Sequence, residues 1–331
     1  MTMSNAADPL LSVKGLTKTF VTQRGFPNPV TIHVRAVDNV SFAVRPGEAF
    51  GLVGESGCGK STTGRALLRL IEPDAGEVHY RGEDVLAASG PALRALRRKL
   101  QIVFQDPYAS LNPRRSIGAT LAEPMLVHRI GERAQIAERV KSLLAEVGLP
   151  ASAADKYPHE FSGGQRQRIG IARALSVDPE LIVADEPVSA LDVSIQAQVL
   201  LLLRDLQARR GLSYVFVAHD LGVVRFFCQS VAVMYLGRIV ESGPVEEVFG
   251  EPAHPYTAVL REASPVPDPR AKSIAVRIEG EVPSAANPPQ GCHFHPRCPH
   301  VKPVCKTSYP VWTQLTPTRG VACHLHAPAG G

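Results

Sequence analysis

A chain of 331 residues is long for one domain and suits one large domain with an appendage; 44% hydrophobic and 20% charged residues mark an ordinary globular protein with enough apolar side chains for a sizeable core. The net charge of +5 is too mild to argue for nucleic acid or an anionic membrane surface as a partner.

At the amino end, Met1 to Pro9 has neither a basic start nor an apolar core, so no signal peptide is expected. Residues Leu10 to Phe20 and Val34 to Val44 alternate polar and apolar side chains, as antiparallel strands do. The Gly/Pro-containing stretch Gln23 to Pro29 reads as the loop between them. Ala49 to Val53 is a short apolar strand ending at Gly54, and Thr62 to Leu70 reads as a helix. Ile117 to His128 and Arg133 to Val147 carry helical periodicity, the second closed by Gly148. Arg94, Arg97, Arg98 and Lys99 form a basic cluster best explained as a solvated helix face, with lipid headgroups as the other reading.

With the helix after Gln165, these segments predict a helical subdomain over about residues 106–176, inserted into an α/β core. Leu181 to Ala184 and Tyr214 to Ala218 are continuous apolar runs of the kind found in parallel strands buried on both faces, and the helix Val193 to Arg210 between them makes a β-α-β unit. The longest apolar stretches, such as Val199 to Leu203, fall far short of the roughly 20 residues that span a bilayer. A soluble, cytosolic chain is expected, in which six cysteines are not read as disulfides. Beyond Phe249 prolines become dense and Cys and His cluster between Cys292 and His326, which puts a boundary near Gly250: residues 1–250 as the main domain and 251–331 as an irregular, Cys-rich extension.

Chemistry concentrates at Gly54, Glu55, Ser56, Gly57, Cys58, Gly59, Lys60, Ser61 and Thr62. The three glycines let the backbone wrap a polyphosphate with successive N–H groups pointing inward, and the following helix adds the positive end of its dipole. At this spacing Lys60 is expected to reach the β- and γ-phosphates of ATP, and the Ser61 hydroxyl to ligate Mg2+. Asp185 ends a buried apolar strand, where a bare carboxylate is costly unless it serves a cation, so it is assigned to the Mg2+ shell.

Taken in order, the phosphate loop, Gln105, Phe161-Ser-Gly-Gly-Gln165, Leu181-Ile-Val-Ala-Asp185-Glu186 and His219 resemble the ATP-binding cassette (ABC) ATPases, over residues 20–219. The resemblance implies a P-loop NTPase core with an antiparallel β subdomain. It implies that Glu186 polarises the attacking water, that His219 contacts the γ-phosphate and orients Glu186, and that Gln105 senses Mg2+ and joins core to helical subdomain. Phe20 would stack on adenine. Ser162, Gly163, Gly164 and Gln165 would close on the ATP of a second subunit, and Asp192 would link the two sites. Phe161 stands where Leu is usual, an apolar-for-apolar departure.

His254-Pro-Tyr and the segment Gly291 to Pro299 look like the C-terminal extension of oligopeptide and dipeptide importer ATPases, and Val103 to Pro113 resembles the same group, more the second of its two paired ATPases. This implies a peripheral ATPase on the cytoplasmic face of the cell membrane, paired with a homologous ATPase, two integral membrane permease subunits and an extracytoplasmic peptide-binding protein. Glutathione and nickel chelates stay open as cargo, and a soluble ABC ATPase acting on nucleic acid or ribosomes is the competing class. Cys292, Cys298, Cys305 and Cys323, with five, six and seventeen residues between them, lack the close pairs usual for zinc and suit a 4Fe-4S cluster. Zinc with the nearby histidines, or no metal, are the other readings.

Overall fold

A computed structural model describes residues 8–25, 27, 29–263 and 283–326. In chain order it holds β1 (Leu11–Arg24), β2 (Val30–Val44), β3 (Ala49–Val53), α1 (Lys60–Leu67), β4 (Ala75–Tyr80) and the short β5 (Glu83–Asp84). There follow α2 (Gly90–Lys99), β6 (Leu100–Val103), α3 (Ile117–Val127), α4 (Arg133–Glu146), α5 (Gly163–Leu175), β7 (Leu181–Asp185), α6 (Val193–Arg210) and β8 (Ser213–Ala218). The remainder is α7 (Leu221–Phe227), β9 (Ser230–Tyr235), β10 (Arg238–Pro244), α8 (Val245–Gly250), α9 (Pro255–Ala263), β11 (Trp312–Thr316) and β12 (Arg319–Ala322). Among the described residues no helix is long and apolar enough to cross a membrane. The chain divides into two compact units, one drawn from residues 1–44, 49–86 and 218–331, the other from 45–48 and 87–217.

In the first unit an antiparallel sheet runs β2-β1-β4-β5. Leu11, Val13, Leu16, Val37, Val40 and Val44 are at most 2% exposed, each burial worth about 1.5–3 kcal/mol. The register slips between Val13 and Leu16, where Gly15 takes φ 60°. A second set of strands runs β11-β12-β10-β9-β3. All five β3 residues are buried, and β3 pairs in parallel with β9 from Phe50↔Ser230 to Val53↔Val233. The β9–β10 turn places Leu236 at φ 42° and Gly237 at φ 83°, the two positive angles a tight hairpin requires. The described part of the tail beyond Gly250 is built into this unit and is more regular than expected: α9 is a helix, β11 and β12 form a hairpin, and β12 pairs with β10 through Glu241↔Val321.

In the second unit β6, β7 and β8 (through Val217) run parallel, with Leu100↔Leu181 and Leu181↔Ser213 in register. Their continuous apolar sequences fit burial on both faces: β7 is buried along its whole length. Helices α3, α4 and α5 form the helical part. Glu132 and Gln135 cap α4 reciprocally, and Gly148 at φ 73° follows its end. Arg210 at the end of α6 holds Glu146 at the end of α4 with two 2.7 Å hydrogen bonds.

Candidate functional site

Strand β3 delivers the chain into a loop that only glycine can make at two points. A Cβ on Gly54 would lie 2.2 Å from the Met234 carbonyl oxygen of β9, and one on Gly59 would lie 1.9 Å from the Ala36 carbonyl oxygen of β2. Gly237 donates its N–H to the Cys58 carbonyl at 2.9 Å, so the β9–β10 turn also fastens the loop. Helix α1 opens at Lys60 with Gly59 as its left-handed cap, and the Thr63 hydroxyl donates back to the Gly59 carbonyl at 3.0 Å.

Lys60 is 3% exposed and folds over the loop, its Nζ donating to the Gly54 and Glu55 carbonyls at 2.8 and 2.9 Å. Ser61 and Thr62 sit half-buried in the first turn of α1, while Ser56 and Gly57 are exposed at the loop tip. Burial pushes the Cys58 thiol up against the opposing pull of Lys60, so Cys58 stays a protonated lining group. This unit also holds Phe20, 40% exposed on β1 with the Lys18 ammonium 5.8 Å from its ring centre. His219 is exposed just ahead of α7, whose N-terminus is capped by Asp220 accepting from Gly222 and Val223.

In the second unit Asp185 is the last residue of β7 and is 1% exposed. Glu186 follows at φ 46°, a left-handed conformation that is costly for a side chain with a Cβ and persists where surroundings enforce it. They do: Glu186 donates its N–H to the Val217 carbonyl at 3.0 Å, and its own carbonyl accepts from the Ser189 N–H and hydroxyl. Two residues past β6, Gln105 donates Nε2–H to Glu186 Oε2 at 3.0 Å.

Ser162 and Gln165 form a reciprocal cap on α5, Ser162 Oγ accepting from Gln165 N–H at 3.4 Å and Gln165 Oε1 from Ser162 N–H at 3.0 Å. A Cβ on Gly164 would lie 2.4 Å from Ile195 Cγ2, so this glycine lets α5 approach α6, while Gly163 and Ser162 remain exposed. Asp192 is exposed at the N-cap of α6 without a side-chain cap bond. The structure thus joins Lys60 to Gly54 and Glu55 in one unit, and Gln105 to Glu186 and Ser162 to Gln165 in the other.

Sequence reasoning missed two groups. Arg166 and Arg173 of α5 hold the loop around Gln105, the first over the Tyr108 ring at 4.9 Å, the second over Phe104 at 5.9 Å and bonded to the Ser110 carbonyl. In the first unit Tyr256 and Arg297 contact Glu55 of the phosphate loop. The His254-Pro-Tyr triplet was visible as a motif, but nothing in its spacing pointed to the loop.

The expected 4Fe-4S centre gains no support from the described residues. Among the described residues no group of three or more His, Cys, Asp or Glu side chains is arranged to hold a metal ion. Cys292, Cys298, Cys305 and Cys323 do share a neighbourhood, but Cys305 Sγ accepts the Lys302 N–H, and burial raises Cys292, Cys298 and Cys323, Cys292 to about 11.

The family profile described as ABC transporter matches residues 37–189, and that described as the oligopeptide/dipeptide transporter C-terminal region matches residues 240–305. A probable peptide ABC transporter ATP-binding protein, y4tS of Sinorhizobium fredii, is 51% identical over 98% of this chain and 92% of its own length. The oligopeptide transport ATP-binding protein AppF of Bacillus subtilis is 48% identical over 99% of this chain and all of its own. Among solved structures, the dimeric post-hydrolysis form of the ATP-binding cassette MJ0796 with ADP and Pi matches at TM-score 0.62 and 28% identity, over 71% of this chain and 98% of that one.

Proposed function

The chain belongs to the ATP-binding proteins of ABC transporters, of the oligopeptide/dipeptide type, and we propose that it binds ATP between itself and a second, homologous cassette to power peptide uptake. It is the ATPase subunit of a peptide importer. The observation that carries the reading is the phosphate loop, in which glycines forced by close contact and a buried Lys60 leave backbone N–H groups and one ammonium to face a polyphosphate.

Each residue has a proposed task. Lys60 meets the β- and γ-phosphates. Ser61 and Asp185 offer the hard oxygen donors that suit Mg2+, whose charge, when bound, offsets that developing on the phosphates. Glu186 takes the proton of the attacking water, Gln105 holds its carboxylate in place, and His219 contacts the γ-phosphate. Phe20 offers a π-face to adenine. Ser162 to Gln165 present an exposed, capped helix N-terminus to the partner's nucleotide, with Asp192 near that junction. Differential contacts with ATP and with its products shift the pair between closed and open forms.

The remaining partners in the proposal are two membrane permease subunits and an extracytoplasmic peptide receptor, with this chain peripheral on the cytoplasmic face. Reconstitution with these subunits in proteoliposomes tests it: peptide-loaded receptor should stimulate ATP hydrolysis, and Lys60→Ala should abolish it. Unchanged hydrolysis in Lys60→Ala would refute the assignment.

A further inference from the structure

We infer that the carboxy-terminal extension is a brace for the phosphate loop, with Arg297 and Tyr256 as positioning residues that set nucleotide affinity; this rests on reading the loop as the ATP site. Glu55, second residue of the loop, is held at every polar group it has. Its N–H donates to the Tyr256 hydroxyl at 2.9 Å. Its carbonyl accepts from Lys60 Nζ at 2.9 Å. Both carboxylate oxygens accept from Arg297, each at 3.0 Å, and the same guanidinium reaches the Tyr235 hydroxyl at 3.4 Å.

The two anchors are themselves fixed. Tyr256 is fully buried, packed with Tyr235 and Phe294 at centroid distances of 4.6 and 5.4 Å. Phe294, three residues before Arg297, also lies edge-on to Tyr235 at 5.3 Å. The turn that presents Tyr256 is tied down by Glu241, which is wholly buried and accepts from the Ala253 and His254 N–H groups at 3.0 and 2.9 Å and from Arg319 at 2.8 Å. Removal of either partner of such a buried pair is severe, because the other charge is stranded. His326 Nε2 and the Ala253 carbonyl, 2.9 Å apart, add a further tie. A continuous path of hydrogen bonds and packed rings therefore runs from β12 to the loop.

The consequence is on Lys60. Its ammonium takes its position from the Gly54 and Glu55 carbonyls, so whatever fixes the Glu55 peptide fixes the cation that meets the phosphates. A glycine-rich loop left loose would have to be ordered as nucleotide binds, at a cost in affinity. Bracing moves that ordering into folding. The bidentate fork of Arg297 suits the task better than an ammonium would.

The test is titration of the purified full-length chain with Mg-ATP, together with steady-state hydrolysis in the assembled transporter. Arg297→Ala should raise Kd and KM for Mg-ATP about tenfold with kcat within about twofold, and Arg297→Lys should fall between it and the parent. Tyr256→Phe, which keeps the aromatic packing and removes one acceptor, should raise them about threefold, the loss of one hydrogen bond, with a melting point lowered by only about 2–4 °C. Parent-like affinity in both Arg297→Ala and Tyr256→Phe would overturn the brace while leaving the nucleotide assignment intact. A parent chain that fails to bind Mg-ATP would remove both.

Discussion

The Gln105 side chain donates to Glu186 Oε2 at 3.0 Å, so the loop leaving β6 holds the carboxylate at the end of β7. With the Glu186 backbone at φ 46° and locked to Val217 and Ser189, the carboxylate is aimed from both backbone and side chain. Glu186→Gln should keep Mg-ATP binding and lower hydrolysis by about 10²–10⁴. Gln105→Ala should cost about tenfold alone and little more when added to Glu186→Gln, because it acts through the same carboxylate. Single-turnover phosphate release for the two variants and the double variant checks this. Near-normal release from Glu186→Gln would remove it from the chemistry.

Gly54 and Gly59 are bound to close approach, whereas Gly57 needs only its backbone angle. A Cβ at Gly57 meets nothing within 4 Å, though φ is +80°. Gly57→Ala should therefore cost about 1–2 kcal/mol of local strain and leave a folded chain. Gly54→Ala and Gly59→Ala must displace the backbone of β9 or β2 and should abolish Mg-ATP binding. Nucleotide titration beside thermal melting of the three variants separates the two classes.

What was legible followed from local physics. The loop glycines, the helix after Gln165 and the apolar runs of β3, β7 and β8 are short-range features, and each of these exists. The helix expected over Thr62–Leu70 starts at Lys60 and ends at Leu67, stopped by Arg69 at φ 50°, an angle no composition signals. Strands β4 and β5 escaped notice because Ala75–Tyr80 is half exposed and breaks clean alternation. Hidden too was the partnership of Glu55 with Arg297, 242 residues away, since only the folded tail brings them together. The role of the four cysteines was not legible, because spacing alone says nothing of whether thiols converge on a metal or pack among themselves.

One substitution separates the observed capping bond of Ser162 from its proposed role at the partner's nucleotide. Its hydroxyl caps α5, and a lost cap costs about 1 kcal/mol, too little to unfold the chain. If the same hydroxyl faces the partner's nucleotide, Ser162→Ala should leave Mg-ATP binding by the isolated chain unchanged, because its own phosphate loop is intact. Hydrolysis by the assembled pair should fall at least about tenfold. An assembled pair that hydrolyses ATP at the parent rate would confine Ser162 to capping.

His254 gives the fold a dependence on pH that can be assigned to one ring. Burial, with a smaller push from His326, lowers its pKa to about 3, and its Nδ1 accepts the Tyr256 N–H at 3.0 Å, so the folded chain holds it neutral. In the unfolded chain the same ring protonates near pH 6.5. Below that pH the unfolded state takes up a proton that the folded state refuses, and stability falls as pH falls from about 6.5 toward 3, by about 2 kcal/mol at pH 5. Above pH 7 the contribution is constant. His254→Asn, whose Oδ1 can stand in for Nδ1 as acceptor, should be less stable at pH 7 because it fills less space, yet lose about 2 kcal/mol less than the parent between pH 7 and pH 5. Urea unfolding at the two pH values measures both differences, and equal losses in parent and variant would place the acid sensitivity elsewhere.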